Sequence, residues 1–237
     1  MANSYELPPD MGEGFSVERL VINYSVYYAL HEPEEVLCDP PPLLIATHGY
    51  GQSCKNFMRM LRLLHHRGFV IVTPQAPNHF YWEREPPTPG FAWFTEFESE
   101  NTLNDIFAYI KRLMVEVSEK RPFDPKKVFL MGFSQGASMA YRIAGHGIIE
   151  PAGVIACSGE LPADVAERLG EIPKFPILIV HGDEDDSVPF KNAQEAADRL
   201  KELGFEVDAQ FFNGQHLMPV DKLDYMARWI GTLAQGS

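Results

Sequence analysis

Five runs of consecutive apolar residues punctuate the chain: Leu43-Leu44-Ile45-Ala46, Phe69-Val70-Ile71-Val72, Val128-Phe129-Leu130-Met131, Val154-Ile155-Ala156 and Ile177-Leu178-Ile179-Val180. A strand that is apolar on both faces is stable only where both faces are covered, the condition of a parallel sheet packed between helices. Between these runs the apolar spacing lengthens to that of a helix. Phe57, Met60, Leu61 and Leu64 follow Ser53 as a prospective N-cap, with Gly68 beyond the end. Leu103, Ile106, Phe107, Ile110, Leu113, Met114 and Val117 make one stripe, and Ala193, Ala196, Ala197, Leu200 and Leu203 another that ends at Gly204. A further helix is expected after Ser134, to about Gly145, and the last from about Val220 to Leu233. Strand–helix alternation of this kind predicts a mainly parallel α/β sheet with right-handed crossovers and helices on both faces.

Two more strands flank the five. Leu20, Ile22, Tyr24, Val26, Tyr28 and Leu30 alternate with their neighbours, which predicts a half-buried strand over 20–30. Phe205 to Phe212 reads as the final strand. There is no internal repeat and no flexible linker, so residues 1–237 are expected to form a single domain, with 1–17 an irregular N-terminal segment. Only Pro74–Glu100 is long for a connection, which leaves no room for a separate cap domain.

Charge narrows the function. The chain has 20 Lys+Arg against 33 Asp+Glu, a net charge of −13, and no basic cluster. Such a molecule repels phosphate backbones, so nucleic acid is not an expected partner. No apolar run approaches the ~18 residues of a membrane span. The N-terminus lacks a basic stretch followed by an apolar core, and Cys38, Cys54 and Cys157 are widely spaced and odd in number. These features predict a reduced, cytoplasmic protein with no metal and no cofactor.

In open α/β sheets the chemistry gathers beyond the carboxyl ends of the strands. Gly132-Phe133-Ser134-Gln135-Gly136 stands at such an end, between a strand and a helix. A serine in that sharp turn projects its hydroxyl above the sheet, and the flanking glycines let strand and helix approach closely. Its hydroxyl needs a hydrogen-bonded base to act as a nucleophile. With partners in the chain order Ser, then Asp or Glu, then His, seven of the eight histidines are misplaced. Only His216, just past the last strand, can serve as the base. The acid must lie in His181-Gly182-Asp183-Glu184-Asp185-Asp186, where chemistry alone does not choose among Asp183, Asp185 and Asp186. This acidic run lacks the alternating ligand pattern of a calcium loop. The amide of Gln135, the residue after the nucleophile, is one prospective donor to a reaction oxyanion.

Taken together, His48-Gly49-x-Gly51, Gly132-Phe133-Ser134-Gln135-Gly136, Ser158-Gly159-x-Leu161-Pro162, His181-Gly182-x-x-Asp185-x-x-Val188-Pro189 and His216 resemble the phospholipase/carboxylesterase family of α/β-hydrolases, which includes the acyl-protein thioesterases. The likeness runs from about residue 40 to the C-terminus. It implies the α/β-hydrolase fold, Asp185 as the acid, Tyr50 as the second oxyanion donor and Ala92-Trp93-Phe94 close to the active site. The chain departs from the family pattern at Gln52, Thr95 and Ala137. His48 is expected to be structural. Trp93, Phe94, Leu217 and Met218 are expected to contact substrate. The rings of 74–100 (Phe80, Tyr81, Trp82, Phe91, Trp93, Phe94 and Phe97) either wall the pocket or cover a sheet edge or homodimer patch. The expected activity is serine carboxylesterase, on short- to medium-chain esters or thioesters and through an acyl-enzyme. A non-catalytic small-molecule-binding protein on the same fold is the alternative.

Overall fold

A computed structural model describes residues 19–83, 85–95 and 99–236. The expected irregular segment 1–17 and the ring of Phe97 lie outside the described residues. In chain order the elements are β1 (Tyr28–His31), β2 (Leu43–Thr47), α1 (Cys54–Met60), β3 (Val70–Pro74), β4 (Asn78–Trp82), β5 (Thr88–Ala92) and α2 (Ser99–Lys120). There follow β6 (Val128–Phe133), α3 (Gln135–Gly145), β7 (Gly153–Cys157), α4 (Ala163–Ala166), β8 (Ile177–Gly182), α5 (Phe190–Glu202), β9 (Val207–Phe212) and α6 (Leu223–Gln235). Seven strands form one sheet in the order β1-β3-β2-β6-β7-β8-β9. All its neighbours pair in parallel except β1 and β3.

Alternation within the apolar strands divides the core in two. Leu43, Ile45, Val70, Val72 and Leu130 face the layer made by α2, α3 and α5, through Ile106, Ile110, Leu113, Ala140, Ile143 and Leu200. Leu44, Ala46, Ile71, Phe129 and Met131 face the opposite layer, where Phe57 of α1 and Met226 and Ile230 of α6 cover them. A fully buried side chain of this kind contributes about 1.5–3 kcal/mol, so both stripes of each strand favour the same sandwich. No helix among the described residues is long and apolar enough to cross a membrane.

Two expectations are corrected. The strand expected over 20–30 exists only as Tyr28–His31, and Leu20, Ile22 and Tyr24 are 84%, 69% and 61% exposed. Its partner β3 runs out: the ladder ends at the Tyr28–Pro74 pair, with one further bond from Gln75 N to Tyr27 O at 2.8 Å. Alternation without a facing strand does not make a sheet. The second correction concerns 74–100, expected as a long loop. It folds back on itself as the antiparallel hairpin β4–β5, with Phe80 opposite Gly90.

Candidate active site

Ser134 sits between β6 and α3 with φ 55° and ψ −122°, a conformation that L-residues rarely adopt and that costs on the order of 1–3 kcal/mol. The crossing is made possible by its glycines. A Cβ at Gly132 would lie 2.1 Å from the carbonyl oxygen of Gly136, and one at Gly136 would lie 2.1 Å from that of Thr47. Thr47 Oγ1 lies 3.0 Å from Met131 O and 2.8 Å from Gly136 O, and so ties β2 to both ends of the turn. Ser134 N donates to Cys157 O at 2.9 Å, anchoring the turn to β7.

The loop after β9 carries His216 back over this serine. Its Nε2 is 2.9 Å from Ser134 Oγ, and its Nδ1 is 2.8 Å from Asp185 Oδ2. With Nδ1–H donating to the carboxylate, the Nε2 lone pair faces the hydroxyl. Asp185 is 7% exposed, and its other oxygen accepts from Ser187 N at 2.9 Å and Val188 N at 2.7 Å. Its two neighbours among the candidate acids do other things. Asp183 accepts from Gly214 N at 3.2 Å and so holds the loop that carries His216, while Asp186 accepts from Ser187 Oγ at 3.4 Å. Fully buried His181 bonds Val188 O at 2.9 Å and lies 3.3 Å from Asp185 Oδ2.

The turn after β2 supplies the other side. No carbonyl among the described residues accepts from the amide of Tyr50 or of Gln135. The turn is held from several directions. Gly49 N donates to Gln52 Oε1 at 2.9 Å, and Gly51 N donates to Phe91 O at 2.8 Å. His48 is buried and structural in its bonding. Its Nδ1 pairs with Gly49 O at 2.9 Å, and its Nε2 receives Gln75 Nε2 at 2.9 Å and Ala76 N at 3.1 Å. Burial lowers its pKa from 6.5 to about 4, against a smaller upward contribution from the bond to Gly49 O. It is therefore neutral at ordinary pH, as a ring that both donates and accepts must be.

The four residues expected to contact substrate divide sharply. Leu217, beside the imidazole, is 55% exposed and Phe94 is half-buried, with the Arg142 guanidinium 4.5 Å from its ring centroid. Trp93 and Met218 are buried instead. They are 0% and 6% exposed, because Trp93 fits between the β2 turn and α3 and Met218 turns into the core layer beneath α6. An exposed ring stands at the site instead: Tyr50, 52% exposed, stacks on Phe80 at 4.8 Å and meets the edge of Trp82 at 5.9 Å. Gly90 makes room for this face, since a Cβ there would fall 2.7 Å from the Phe80 ring.

Reading by motif gave no role to Ser158, which also has a positive φ of 44°. Its buried Oγ donates to Leu217 O at 3.0 Å and tethers the loop next to His216. The signal was present in Ser158-Gly159, where a polar residue ends an otherwise apolar strand.

Comparison with known proteins gives the class. A model of the family described as Phospholipase/Carboxylesterase matches residues 38–234. The chain belongs to that family of α/β-hydrolases, a group of ester-hydrolysing enzymes. It is 33% identical over 212 residues to acyl-protein thioesterase 1 homolog 1 of Dictyostelium discoideum, covering 79% of this chain and 88% of that protein. It is 32% identical over 194 residues to NocK of Nocardia uniformis, provisionally named an esterase, covering 80% of this chain but only 54% of that longer protein. The crystal structure of esterase PE8 superimposes with a TM-score of 0.71 at 22% identity, over 89% of this chain and 100% of that one, a likeness of fold.

Proposed function

We propose that the protein hydrolyses carboxylic esters or thioesters of short to medium acyl chain through an acyl-enzyme, with Ser134, His216 and Asp185 as its triad. The observation that carries this reading is the continuous line from Ser134 Oγ through both imidazole nitrogens to the buried Asp185 carboxylate, at 2.9 and 2.8 Å. His216 Nε2 takes the hydroxyl proton as Oγ bonds to the acyl carbon. The carbonyl electrons move onto oxygen, where the amides of Tyr50 and Gln135 meet the charge. Each such donor is typically worth about 2.7–4 kcal/mol in the transition state. The carbon–oxygen or carbon–sulfur bond then breaks as His216 returns the proton to the leaving group. Water, deprotonated by the same imidazole, releases the acid and restores Ser134. Asp185 holds the tautomer and stabilises the imidazolium without taking its proton. Leu217, Phe94 and the exposed Tyr50–Phe80–Trp82 face offer apolar surface for an acyl or aryl group.

The substrate of this reading is a small-molecule ester. Three unbridged cysteines fit a reducing compartment, which we take to be the cytoplasm. Ser134→Ala is expected to reduce p-nitrophenyl butyrate hydrolysis to background and to abolish labelling by a fluorophosphonate. Undiminished turnover in that variant would refute the assignment, and absence of labelling in the unaltered protein would favour a binding role.

A further inference from the structure

The two amides that meet the oxyanion belong to different elements, the turn after β2 and the start of α3. Their strands are adjacent and in register up to the Thr47–Gly132 pair. Beyond that pair the ladder stops; Thr47 Oγ1 still reaches Gly136 O at 2.8 Å, but Tyr50 lies three residues further on, so a second brace is needed to set the distance between the two donors. The segment Phe91–Trp93 is placed to do so. The Trp93 indole Nε1–H donates to His48 O at 2.8 Å, two residues before Tyr50. The Trp93 main-chain N–H donates to Gln135 Oε1 at 2.8 Å, on the residue that supplies the other amide. Phe91 O accepts from Gly51 N at 2.8 Å, just after Tyr50. Tyr50 is thus bracketed on both sides, and the same short segment reaches across to Gln135. Asn78 Nδ2 in turn lies 3.2 Å from Ala92 O and 3.3 Å from Trp93 O, which fixes the segment to β4. Trp93 is 0% exposed, so it has no surface to offer an acyl group.

We propose that Trp93 is a positioning residue for the oxyanion site: a buried strut whose two N–H groups hold the Tyr50 turn and the Gln135 helix start at the separation that the transition state requires. The inference rests on the hydrolytic reading above. It differs from a pocket-wall role in what it predicts. A strut acts on the transition state alike for every acyl chain, whereas a wall acts on binding and depends on chain length.

The experiment compares Trp93→Phe and Gln135→Ala with the unaltered enzyme on p-nitrophenyl esters from acetate to octanoate, with Ser134→Ala as background. Trp93→Phe keeps an aromatic ring and removes the indole donor. Its kcat is expected to fall about tenfold to a hundredfold, the effect of a displacement on the order of 1 Å, with KM within about twofold and the same factor on every ester. Affinity for an alkyl trifluoromethyl ketone, which forms a tetrahedral oxyanion adduct on the serine, falls by the same factor as kcat/KM. Gln135→Ala keeps its backbone amide and loses only the acceptor for Trp93 N, so its kcat falls about fivefold. Loss of a merely structural contact would lower the melting temperature and leave kcat per labelled active site unchanged, which overturns the proposal. So does a change confined to KM that grows with acyl length. Should Trp93→Phe fail to fold, Gln135→Ala decides: an unchanged kcat overturns it. An unaltered enzyme whose turnover matches Ser134→Ala would instead sink the hydrolytic reading itself.

Discussion

Replacing His48 by Gln tests whether the turn after β2 makes the fold sensitive to acid. The ring is wholly buried, and that burial lowers its pKa from 6.5 to about 4. At 1.36 kcal/mol per unit the displacement is worth about 3 kcal/mol in total. Its sign follows from which state holds the proton. An unfolded chain protonates this imidazole below pH 6.5, while the folded protein does so only below about 4. Stability therefore falls as pH drops through that window and levels off beneath it. Between pH 7 and pH 5, His48 alone should remove about 2 kcal/mol. Urea unfolding at the two pH values measures the loss, in the unaltered protein and in His48→Gln. Glutamine keeps an acceptor for Gln75 and Ala76 but does not titrate, so the variant should lose about 2 kcal/mol less over the interval. His65 and His146, whose pKa values burial also lowers, contribute equally to both proteins and cancel in the difference. Identical pH dependence in the two proteins would refute the reasoning.

Among the acids, Asp185→Asn should lower kcat by about 10,000-fold by destroying the imidazole tautomer, while Asp186→Asn stays within about threefold. Asp183→Asn, which weakens the hold on Gly214, should fall between them. Steady-state kinetics on p-nitrophenyl butyrate ranks the three, and a crippled Asp186→Asn would place the acid wrongly. Gly136→Ala forces a methyl group to 2.1 Å from Thr47 O, so it should destabilise the protein by about 3 kcal/mol. Calorimetry should then show a melting temperature lower by about 6–12 °C; an unchanged value would mean that the turn is looser than the geometry indicates.

The central sheet was legible because its strands are apolar on both faces, a pattern that few other environments accept. Chain order exposed Ser134 and His216 for the same reason, since few arrangements of those residues around a β6–α3 turn were open. The hairpin β4–β5 was not legible. Thr88-Pro89-Gly90-Phe91-Ala92 contains two residues that weaken strands, and it pairs only because Gly90 admits the rings of Phe80 and Trp82. Residues 20–27 erred in the other direction, with a strand pattern that lacked a partner. The choice of Asp185 over Asp186 had a signal that the residue types alone concealed. An aspartate that accepts from amides two and three positions ahead needs an N–H at the third. Val188 provides it for Asp185, while Pro189 denies it to Asp186. The burial of Trp93 has no local signature, because it depends on the β2 turn and α3 meeting across the sheet.

The bond between Gly51 and Phe91 joins main-chain atoms only. Along β4, Asn78, Phe80 and Trp82 also touch the turn or its brace through their side chains, while His79 and Tyr81 are exposed. Substitution at those two exposed positions leaves the bracing of the turn intact while changing the surface beside it. On the hydrolytic reading proposed above, substrate range and chemical competence are thereby uncoupled.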